Sequence, residues 1–363
     1  MEIPTNVGID ENKEERFQSY KIINTIGKGS YGVVKKCVHI PTGRVYAIKF
    51  VEKGRITKPV QIVRLKREIT ILKLLNHPNI VKIFGAHETE KELAIVMEYV
   101  EGIDLFEHIR AQRKLSERDS VGIFRGLVSA LHYLHSNNIV HRDVKPENIV
   151  LLKDSSHVKL IDFGFSTMYH PKKNLSTNCG SPLYASPEIV SGRRYVGPEV
   201  DVWSAGVVLF VMLHGRLPFD DRDTKKTYAR IRYGIFTVDR ERLSAEAVNI
   251  LLQMIKVESV LRADIAGVLQ HPWVDPLQER GWFLEAEAML AVHFDYVFLS
   301  AKAVQRIREV PGYDDAEENE DAVRNDDESP QRALYRLIFC RLERRFGVLR
   351  QENRFLRLFN KTA

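Results

Sequence analysis

Residues 141–148 read HRDVKPEN, and residues 162–164 read DFG after an apolar stretch that predicts a strand. Three side chains in these motifs carry oxygen atoms suited to a reaction centre: Asp143, Asn148 and Asp162. Any one such residue in a loop is more often an exposed turn former. As a set, however, they offer one proton acceptor and two oxygen ligands for Mg²⁺. The spacing therefore favours a catalytic centre in this part of the chain.

A glycine-rich stretch lies upstream, where residues 27–32 read GKGSYG and the β-branched run VVKKCVHI follows. Gly27, Gly29 and Gly32 lack Cβ atoms, so backbone N–H groups there can approach a polyphosphate. The run that follows predicts a strand, whereas a dinucleotide-binding loop is followed by a helix. A P-loop would end in Gly-Lys-Ser/Thr, which is also missing. By itself the glycine pattern is weak evidence for a nucleotide.

A lysine and a glutamate extend the pattern. Lys49 lies in the predicted strand VYAIK, 17 residues after Gly32, where its ammonium could reach the α- and β-phosphates of ATP. Glu68 lies within a helix predicted over residues 60–75 and could hold that ammonium in place. Alternatively, Glu68 belongs to a solvated charged face with its basic neighbours. In this order, the elements suit transfer of the γ-phosphoryl group of ATP in the presence of Mg²⁺.

The pattern of elements predicts an α+β fold with two lobes. Residues 20–97 combine β-branched runs, glycine-containing turns and one helix, which indicates a small antiparallel β lobe. Residues 98–102 form a connector, or hinge. Helical periodicity dominates residues 103–274, which indicates a large, mainly helical lobe.

Five helices are predicted in the large lobe, over residues 117–136, 199–214, 224–233, 244–257 and 264–270. Ser116 and Ser244 precede two of them at N-cap positions. An irregular stretch over residues 138–197 separates the first two helices. A stretch of that length inside a compact domain is normally functional, and this one contains both motifs quoted above.

The chain ends are predicted to be separate segments. Residues 1–19 form an N-terminal extension, 275–310 an apolar helical segment, 311–331 an acidic linker, and 332–363 a basic amphipathic helical tail. The tail could bind an acidic partner, an anionic membrane or the acidic linker, and packing against the large lobe is the default interpretation.

Composition excludes several classes of protein. The first twenty residues lack the features of a secretory signal, and the longest apolar run, residues 202–213, is too short to cross a bilayer. The three cysteines lack the spacing of a disulfide framework or a zinc site. The net charge of +6 is spread among interleaved acidic and basic residues, which disfavours nucleic-acid binding. A cytoplasmic or nuclear location is expected.

Residues from about 20 to 274 resemble the eukaryotic protein kinase domain. The stretch STNCGSPLYASPE is similar to that of the AMP-activated and Snf1-related kinases, within the calcium/calmodulin-dependent group. Lys145, two residues after Asp143, matches the serine/threonine form of the motif. The resemblance implies an ATP- and Mg²⁺-dependent serine/threonine protein kinase. A kinase-like scaffold without catalysis is the alternative, but no catalytic motif position is degraded.

The resemblance also implies individual roles. Asp143 would be the catalytic base, Lys145 would contact the γ-phosphate, and Asn148 with Asp162 would bind Mg²⁺. Lys49 and Glu68 would form an ion pair. The ATP-binding residues would be Ile26, Gly27, Lys28, Gly29, Ser30, Tyr31, Gly32, Val34, Ala47, Lys49, Glu68, Met97, Glu98, Val100 and Val150.

Regulation can be inferred from the same resemblance. Thr177 aligns with an activating phosphorylation site, and Arg142 can supply a cation for the phosphate. Alternatively, Thr177 is one of several hydroxyls in a loop. Glu188 is expected to pair with Arg262, as its family counterpart does. The implied partners are protein substrates and an upstream activating kinase.

Substrate choice and biological role are less specified. Asp104 and Glu147 match acidic positions that receive a basic residue upstream of the acceptor hydroxyl in related kinases. No residue decides among cell-cycle, polarity and metabolic signalling. Residues 284–307 and 333–341 loosely resemble the helices of a ubiquitin-associated domain, and an irregular helical extension is an equal alternative.

Overall fold

A computed structural model describes residues 19–29, 32–55, 65–66, 69–153, 157–177, 179–275, 306–307, 309–310 and 329–346. Backbone contacts divide the chain into a small unit, mainly residues 19–76 and 81–101, and a large unit that contains residues 77–80 and most residues after 102. The predictions for Ser30, Tyr31, Glu68, residues 1–18 and residues 311–328 lie outside the described residues.

The small unit is built on a five-stranded antiparallel sheet. Its strands are β1 (Tyr20–Gly29), β2 (Gly32–His39), β3 (Val45–Glu52), β4 (Ile83–Glu88) and β5 (Glu92–Glu98), in the order β1-β2-β3-β5-β4. One face of the sheet carries a buried cluster of Cys37, Ile48, Ala94 and Val96. Burial of these apolar side chains is the main stabilising term of the sheet.

Gly32 is required by the close pairing of β2 with β3. A Cβ added to Gly32 would lie 1.7 Å from the carbonyl oxygen of Phe50, far inside van der Waals contact. Gly32 therefore has a structural role in the sheet in addition to the nucleotide role that its motif predicts.

The helix predicted over residues 60–75 is described in part, and residues 65–66 and 69–72 are helical. The Glu88 carboxylate at the end of β4 forms ion pairs with Lys53 Nζ, 2.5 Å from Oε1, and with Lys66 Nζ, 2.6 Å from Oε2. Burial alone would raise the pKa of Glu88, but these two lysines lower it below its ordinary value. Glu88 thus links the helical segment and the 3₁₀ turn Lys53–Arg55 to the sheet.

The large unit is mainly helical, as predicted. Its described helices up to residue 275 are Leu105–Gln112, Glu117–Ser136, Pro187–Val190, Pro198–His214, Thr224–Tyr233, Ala245–Met254 and Ile265–Gln270. Pro198–His214 is buried along almost its whole length, which confirms the apolar run at 202–213 as a core helix. Glu117–Ser136 packs against Pro198–His214 and Ile265–Gln270. The N-caps Ser116 and Ser244 are confirmed, because each Oγ accepts a backbone N–H of the first turn at 3.1 Å.

The structure differs from the predicted elements of the large unit in three places. The helix predicted over 244–257 ends at Met254, because the carbonyls of Lys256 and Val257 turn towards the side chain of Arg262. The helix Leu105–Gln112 was not predicted. Residues 138–197 are not wholly irregular: they contain β7 (Ile139–Val140), β8 (Ile149–Leu152), β9 (Val158–Leu160), β10 (Thr167–Met168) and the short helix Pro187–Val190. Together with β6 (Gly102–Asp104), these strands form the small sheets β6-β8-β9 and β7-β10.

Glu117 connects three parts of the large unit. Its carboxylate accepts hydrogen bonds from Ser244 N at 2.8 Å, from Ser244 Oγ at 2.6 Å and from Trp273 Nε1 at 2.8 Å. The start of one helix is therefore tied to the cap of another and to the end of the large lobe. Hydrogen bonds to a carboxylate are stronger than neutral ones, so this junction should stabilise the large unit.

The C-terminal region contains the helix Pro330–Phe346, in which residues 332–335, 337 and 338 are buried. Residues 276–305 and 347–363 lie outside the described part of the chain. None of the described helices has the length and apolar content needed to span a bilayer.

Candidate active site

One face of the small sheet gathers five predicted ATP-binding residues. Gly27 pairs with Val34, Val34 with Lys49, and Ala47 with Met97. Paired residues in antiparallel strands share a face, as do residues two apart in one strand. All five positions therefore belong to one face, opposite the buried cluster. An ammonium group beside small and apolar side chains suits a ligand with a phosphate end and an aromatic end.

The hairpin between β1 and β2 carries the rest of the glycine-rich stretch. Gly29 pairs with Gly32 next to the hairpin tip. Lys28 is exposed, and Ile26 is 43% exposed although it is apolar. An exposed apolar side chain next to backbone that lacks Cβ atoms leaves this hairpin accessible to a ligand.

Three further predicted ATP-binding residues lie at the end of β5, just after β5 and on β8. The backbone N–H of Glu98 donates to the carbonyl oxygen of Lys82 at 2.8 Å, so this N–H is used within the small unit. Val100 is half-buried. Val150 lies on β8 in the large unit and is also half-buried.

Asp143 is buried, with 6% of its surface exposed, and its carboxylate is held by four donors. Oδ1 accepts from Ser181 N and Ser181 Oγ, both at 3.0 Å. Oδ2 accepts from Asn148 Nδ2 at 3.0 Å and pairs with Lys145 Nζ at 2.9 Å. Lys145 Nζ also donates to Ser181 Oγ at 2.9 Å. The large unit thus brings three predicted catalytic residues together and adds a serine hydroxyl.

Asn148 and Asp162 fit the requirements of a Mg²⁺ site. The amide nitrogen of Asn148 donates to both O and Oδ2 of Asp143, which orients the amide and directs its oxygen away from Asp143. The backbone N–H of Ile161 donates to Asn148 O at 2.9 Å. Asp162 is the next residue in the chain, so this bond holds the backbone before Asp162 next to Asn148. No cluster of three or more His, Cys, Asp or Glu ligands occurs among the described residues. Mg²⁺ usually takes one or two carboxylates plus substrate phosphates and water, and one amide oxygen with one carboxylate is a ligand set of that size.

A buried aspartate on the helix Pro198–His214 supports residues His141, Arg142 and Asp143, which we call the HRD motif. Asp201 is fully buried and accepts from His141 N at 2.8 Å, Arg142 N at 2.7 Å and His135 Nε2 at 2.9 Å. Burial alone would raise the pKa of Asp201, but its histidine partners lower it below the ordinary value. Arg142 has a φ of 66°, a strained conformation for a residue with a Cβ. The bonds to Asp201 hold the backbone in this conformation next to Asp143.

His141 is a structural member of the motif. Its Nδ1 accepts from Asp143 N at 3.3 Å, and its Nε2 lies 3.2 Å from Ile161 O, which assigns the proton to Nε2. The ring is neutral because Nδ1 accepts a hydrogen bond, and burial lowers the pKa of His141 in the same direction. The ring also packs edge-on against Phe163, with centroids 4.8 Å apart. A neutral histidine therefore joins the two motifs quoted at the start.

The expected pair of Glu188 and Arg262 is confirmed. Arg262 Nη1 and Nη2 donate to the two carboxylate oxygens of Glu188 at 2.7 and 3.2 Å. Nη1 also donates to Glu199 O, and Nε to Lys256 O. The guanidinium stacks over Trp203, at 5.1 Å from the centroid. This buried pair anchors the end of residues 162–188, which we call the activation segment.

Thr177 lies in the activation segment with an exposed side chain. Arg142 Nε donates to Phe165 O at 2.7 Å, so the guanidinium faces the same segment. Tyr195 contacts both Arg142 and the backbone of Thr177. The structure therefore brings the two predicted regulatory residues near each other through a tyrosine that sequence reasoning did not single out.

The two acidic residues proposed to contact substrate differ in their surroundings. Asp104 is the N-cap of Leu105–Gln112, where its Oδ1 accepts from Glu107 N at 2.8 Å. Glu147 is exposed in the 3₁₀ turn Pro146–Asn148. Asp104 thus has a structural role as a helix cap, whereas Glu147 is exposed at the surface.

Comparison with known proteins decides the family. The family model "Protein kinase domain" matches residues 20–274, which contain every side chain of the site described above. The chain belongs to the protein kinase family. Its α+β fold, with an antiparallel small sheet and a mainly helical large unit, is the fold expected of a kinase domain.

The similar curated proteins are SNF1-related kinases. NUAK family SNF1-like kinase 2 of Rattus norvegicus is 45% identical over 265 residues, which is 73% of this chain and 41% of the rat protein. NUAK family SNF1-like kinase 1 of Homo sapiens is 42% identical over 272 residues, 75% of this chain and 41% of its own length. SNF1-related protein kinase catalytic subunit alpha KIN12 of Arabidopsis thaliana is 40% identical over 255 residues, 70% and 51% respectively. The kinase domain thus matches about half or less of the length of these relatives.

Besides Tyr195, sequence reasoning missed two side chains that contact the predicted site residues or their backbone, Asp201 and Ser181. Asp201 could have been found, because it is a lone carboxylate inside an otherwise apolar helix, and a buried charge needs partners. Ser181 has no comparable signal, since a single serine in a loop is common. Its contact with Asp143 joins residues 38 positions apart and depends on the folded activation segment.

Proposed function

We propose that this chain transfers the γ-phosphoryl group of ATP to serine and threonine hydroxyls of other proteins. The observation that carries the proposal is the Asp143 carboxylate, buried and hydrogen-bonded, with the Lys145 ammonium 2.9 Å from Oδ2. A fixed carboxylate can orient an incoming hydroxyl and accept its proton, and a neighbouring cation can stabilise charge on the transferred group. Family membership and the names of the relatives support the same activity.

The contacts of Asp143 suggest how a substrate hydroxyl gains access. A carboxylate offers about four lone-pair sites, and Ser181, Asn148 and Lys145 supply four donors. Lys145 is the partner most able to leave, because its side chain is 22% exposed and flexible. If its ammonium turns to the γ-phosphate, a site on Oδ2 becomes available to the substrate hydroxyl. Asp143 then accepts the hydroxyl proton as the hydroxyl oxygen bonds to the γ-phosphorus, while the bond from that phosphorus to the β,γ-bridging oxygen of ATP breaks and ADP leaves.

The cofactors would be held by residues already described. Asn148 and Asp162 would hold Mg²⁺, and Lys49 with the glycine-rich hairpin would hold the phosphates. Val34, Ala47 and Met97 would contact the adenine. Mg²⁺ supplies charge neutralisation of the phosphates when bound.

The decisive variant is Asp143→Asn. An amide cannot accept a proton, and its NH₂ group must face either Ser181 N–H or the donors of Asn148 and Lys145. General base catalysis contributes roughly 10²- to 10⁴-fold, so we expect a rise in the barrier of about 3–5 kcal/mol. Asp264→Asn is a matched control, because Asp264 only caps Ile265–Gln270 and asparagine caps equally well. Equal rates of peptide phosphorylation in both variants would refute the role of Asp143.

We also propose that phosphorylation of Thr177 activates transfer. An exposed hydroxyl near an arginine that contacts the activation segment supports this, since a phosphate adds a charge of about −2 that arginine binds well. Protein isolated from cells in which it is active should carry the phosphate. Thr177→Ala protein from the same cells should have much lower activity, and equal activity would contradict the proposal.

A preference for basic residues upstream of the acceptor rests mainly on Glu147, which is exposed beside Lys145 in the 3₁₀ turn. An arrayed peptide library tests it. Glu147→Gln should reduce discrimination in favour of upstream arginine, by up to about 5-fold for an exposed charge pair. Identical selectivity of the two proteins would contradict the assignment.

A further inference from the structure

Tyr195 lies at the junction of the activation segment and the HRD motif. Its ring is 3% exposed, and its hydroxyl donates to the backbone carbonyl of Thr177 at 2.8 Å. The same hydroxyl accepts from Arg142 Nη1 at 3.4 Å. One phenol therefore bridges the predicted phosphate acceptor and the predicted phosphate-binding arginine.

The backbone of Tyr195 makes a second, independent contact with the same segment. Its N–H donates to Leu175 O at 3.1 Å, and its carbonyl accepts from Leu175 N at 2.7 Å. Leu175 and Tyr195 both pack in a small core cluster with Ile189 and Val200. Residues 175–177 are thus held by a two-bond bridge and by the phenol, although the side chain of Thr177 remains exposed.

We propose that the Tyr195 hydroxyl is a latch that holds the Thr177 backbone next to Arg142, so that a phosphate added to Thr177 is received by this arginine. The proposal rests on the proposed activation through Thr177. Arg142 Nη1 and Thr177 O are both hydrogen-bonded to the Tyr195 hydroxyl, so they are no further apart than the sum of these two bond lengths. A phosphate on the Thr177 side chain can span that distance. The donor from arginine also polarises the phenol and strengthens its bond to the carbonyl. Tyr195 is a positioning residue, because it acts through Arg142 and Thr177.

Tyr195→Phe removes the hydroxyl and keeps the buried ring. Tyr169→Phe is the matched control: Tyr169 is also buried, and its hydroxyl donates to the backbone carbonyl of His135 at 3.1 Å. Tyr169→Phe loses one neutral hydrogen bond to a carbonyl, whereas Tyr195→Phe loses such a bond and also the long bond from Arg142 at 3.4 Å. The loss of global stability is therefore expected to be small in both variants and somewhat larger in Tyr195→Phe. Only Tyr195→Phe should release the segment that carries Thr177.

The first readout is amide hydrogen exchange in the unphosphorylated full chain, which does not depend on activity. Tyr195→Phe should accelerate exchange at residues 175–179 by about 2- to 10-fold, the effect of one hydrogen bond, and Tyr169→Phe should leave it unchanged. Equal exchange at these residues in Tyr195→Phe and the unmodified protein overturns the latch, whether or not the chain proves to be a kinase.

The second readout uses protein fully phosphorylated at Thr177, as verified by mass spectrometry. A phosphatase should remove this phosphate about 2- to 10-fold faster from Tyr195→Phe than from Tyr169→Phe, because the phosphate is less well held on Arg142. Equal removal rates overturn the proposal. If Thr177→Ala is as active as the unmodified protein, activation through Thr177 fails, while the exchange experiment still decides the latch.

Discussion

Replacing Arg262 by methionine should destabilise the large unit by about 3–5 kcal/mol, the cost of leaving a buried charge unpaired. The guanidinium contacts both oxygens of Glu188 at 2.7 and 3.2 Å and also donates to the carbonyls of Glu199 and Lys256. The Arg262 side chain is 0% exposed and that of Glu188 is 8% exposed. Methionine fills part of the volume and satisfies none of these acceptors. Water cannot replace the lost donors at so buried a site.

Equilibrium unfolding in urea measures this loss, with the fluorescence of Trp203 as a local probe because its ring lies under the guanidinium. Arg242→Met is the control: Arg242 pairs with Asp239 at 3.5 Å and is 73% exposed, so a change within about 0.5 kcal/mol is expected. The double variant Arg262→Met/Glu188→Met should have a free energy of unfolding about 1–3 kcal/mol higher than that of Arg262→Met, because the unpaired carboxylate is removed. Equal losses for Arg262→Met and Arg242→Met would refute the reasoning.

Three further results are expected. Gly32→Ala should cost about 3 kcal/mol in urea unfolding, since its Cβ would meet a strand carbonyl at 1.7 Å, whereas Gly85→Ala, with open space around it, should change little; equal effects would contradict the packing argument. Ser181→Ala should lower kcat about 10- to 100-fold through the lost hydrogen bond to the Asp143 carboxylate, and an unchanged kcat would show that the serine is incidental. Burial alone would raise the pKa of Glu117, but its three hydrogen bonds lower it below the ordinary value of 4.5. Its stabilisation is therefore present above pH 4.5 and is lost as the pH falls through the lower folded-state pKa. The difference in Tm between the unmodified protein and Glu117→Gln should shrink on acidification. A difference that stays constant with pH would contradict the stabilising role of the Glu117 carboxylate.

Local signals predicted much of the fold. The helix Glu117–Ser136 has the predicted bounds because a serine cap and helical periodicity agree. The helix Leu105–Gln112 is not among the sequence predictions, although Asp104 and Glu107 have the spacing of a capping box, because eight residues give only a short periodic signal. The early end at Met254 could not be predicted, since it depends on Arg262, which follows the helix in sequence and folds back against it.

The residues of the candidate site also fall into those that local sequence spacing predicts and those that depend on long-range contacts. Asp143, Lys145 and Asn148 lie within six residues of one another, so local spacing was sufficient to group them. Ser181 lies in the activation segment and Tyr195 lies seven residues after it, and both reach the site only through contacts that are distant in sequence. Neither residue was assigned a role from the sequence, although Ser181 lies within the stretch that carries the family resemblance. Long-range contacts of this kind depend on packing, which a single sequence does not display.

Transfer of labelled phosphate to acceptor peptides tests the central claim most directly. The full chain would be incubated with Mg·ATP labelled at the γ position and with four peptides that differ only in a serine, threonine, tyrosine or alanine acceptor. We predict label on the serine and threonine peptides, at least 100-fold less with Asp143→Asn, and none on the alanine peptide. Absence of label from every peptide, or equal labelling by Asp143→Asn, would contradict the proposed function.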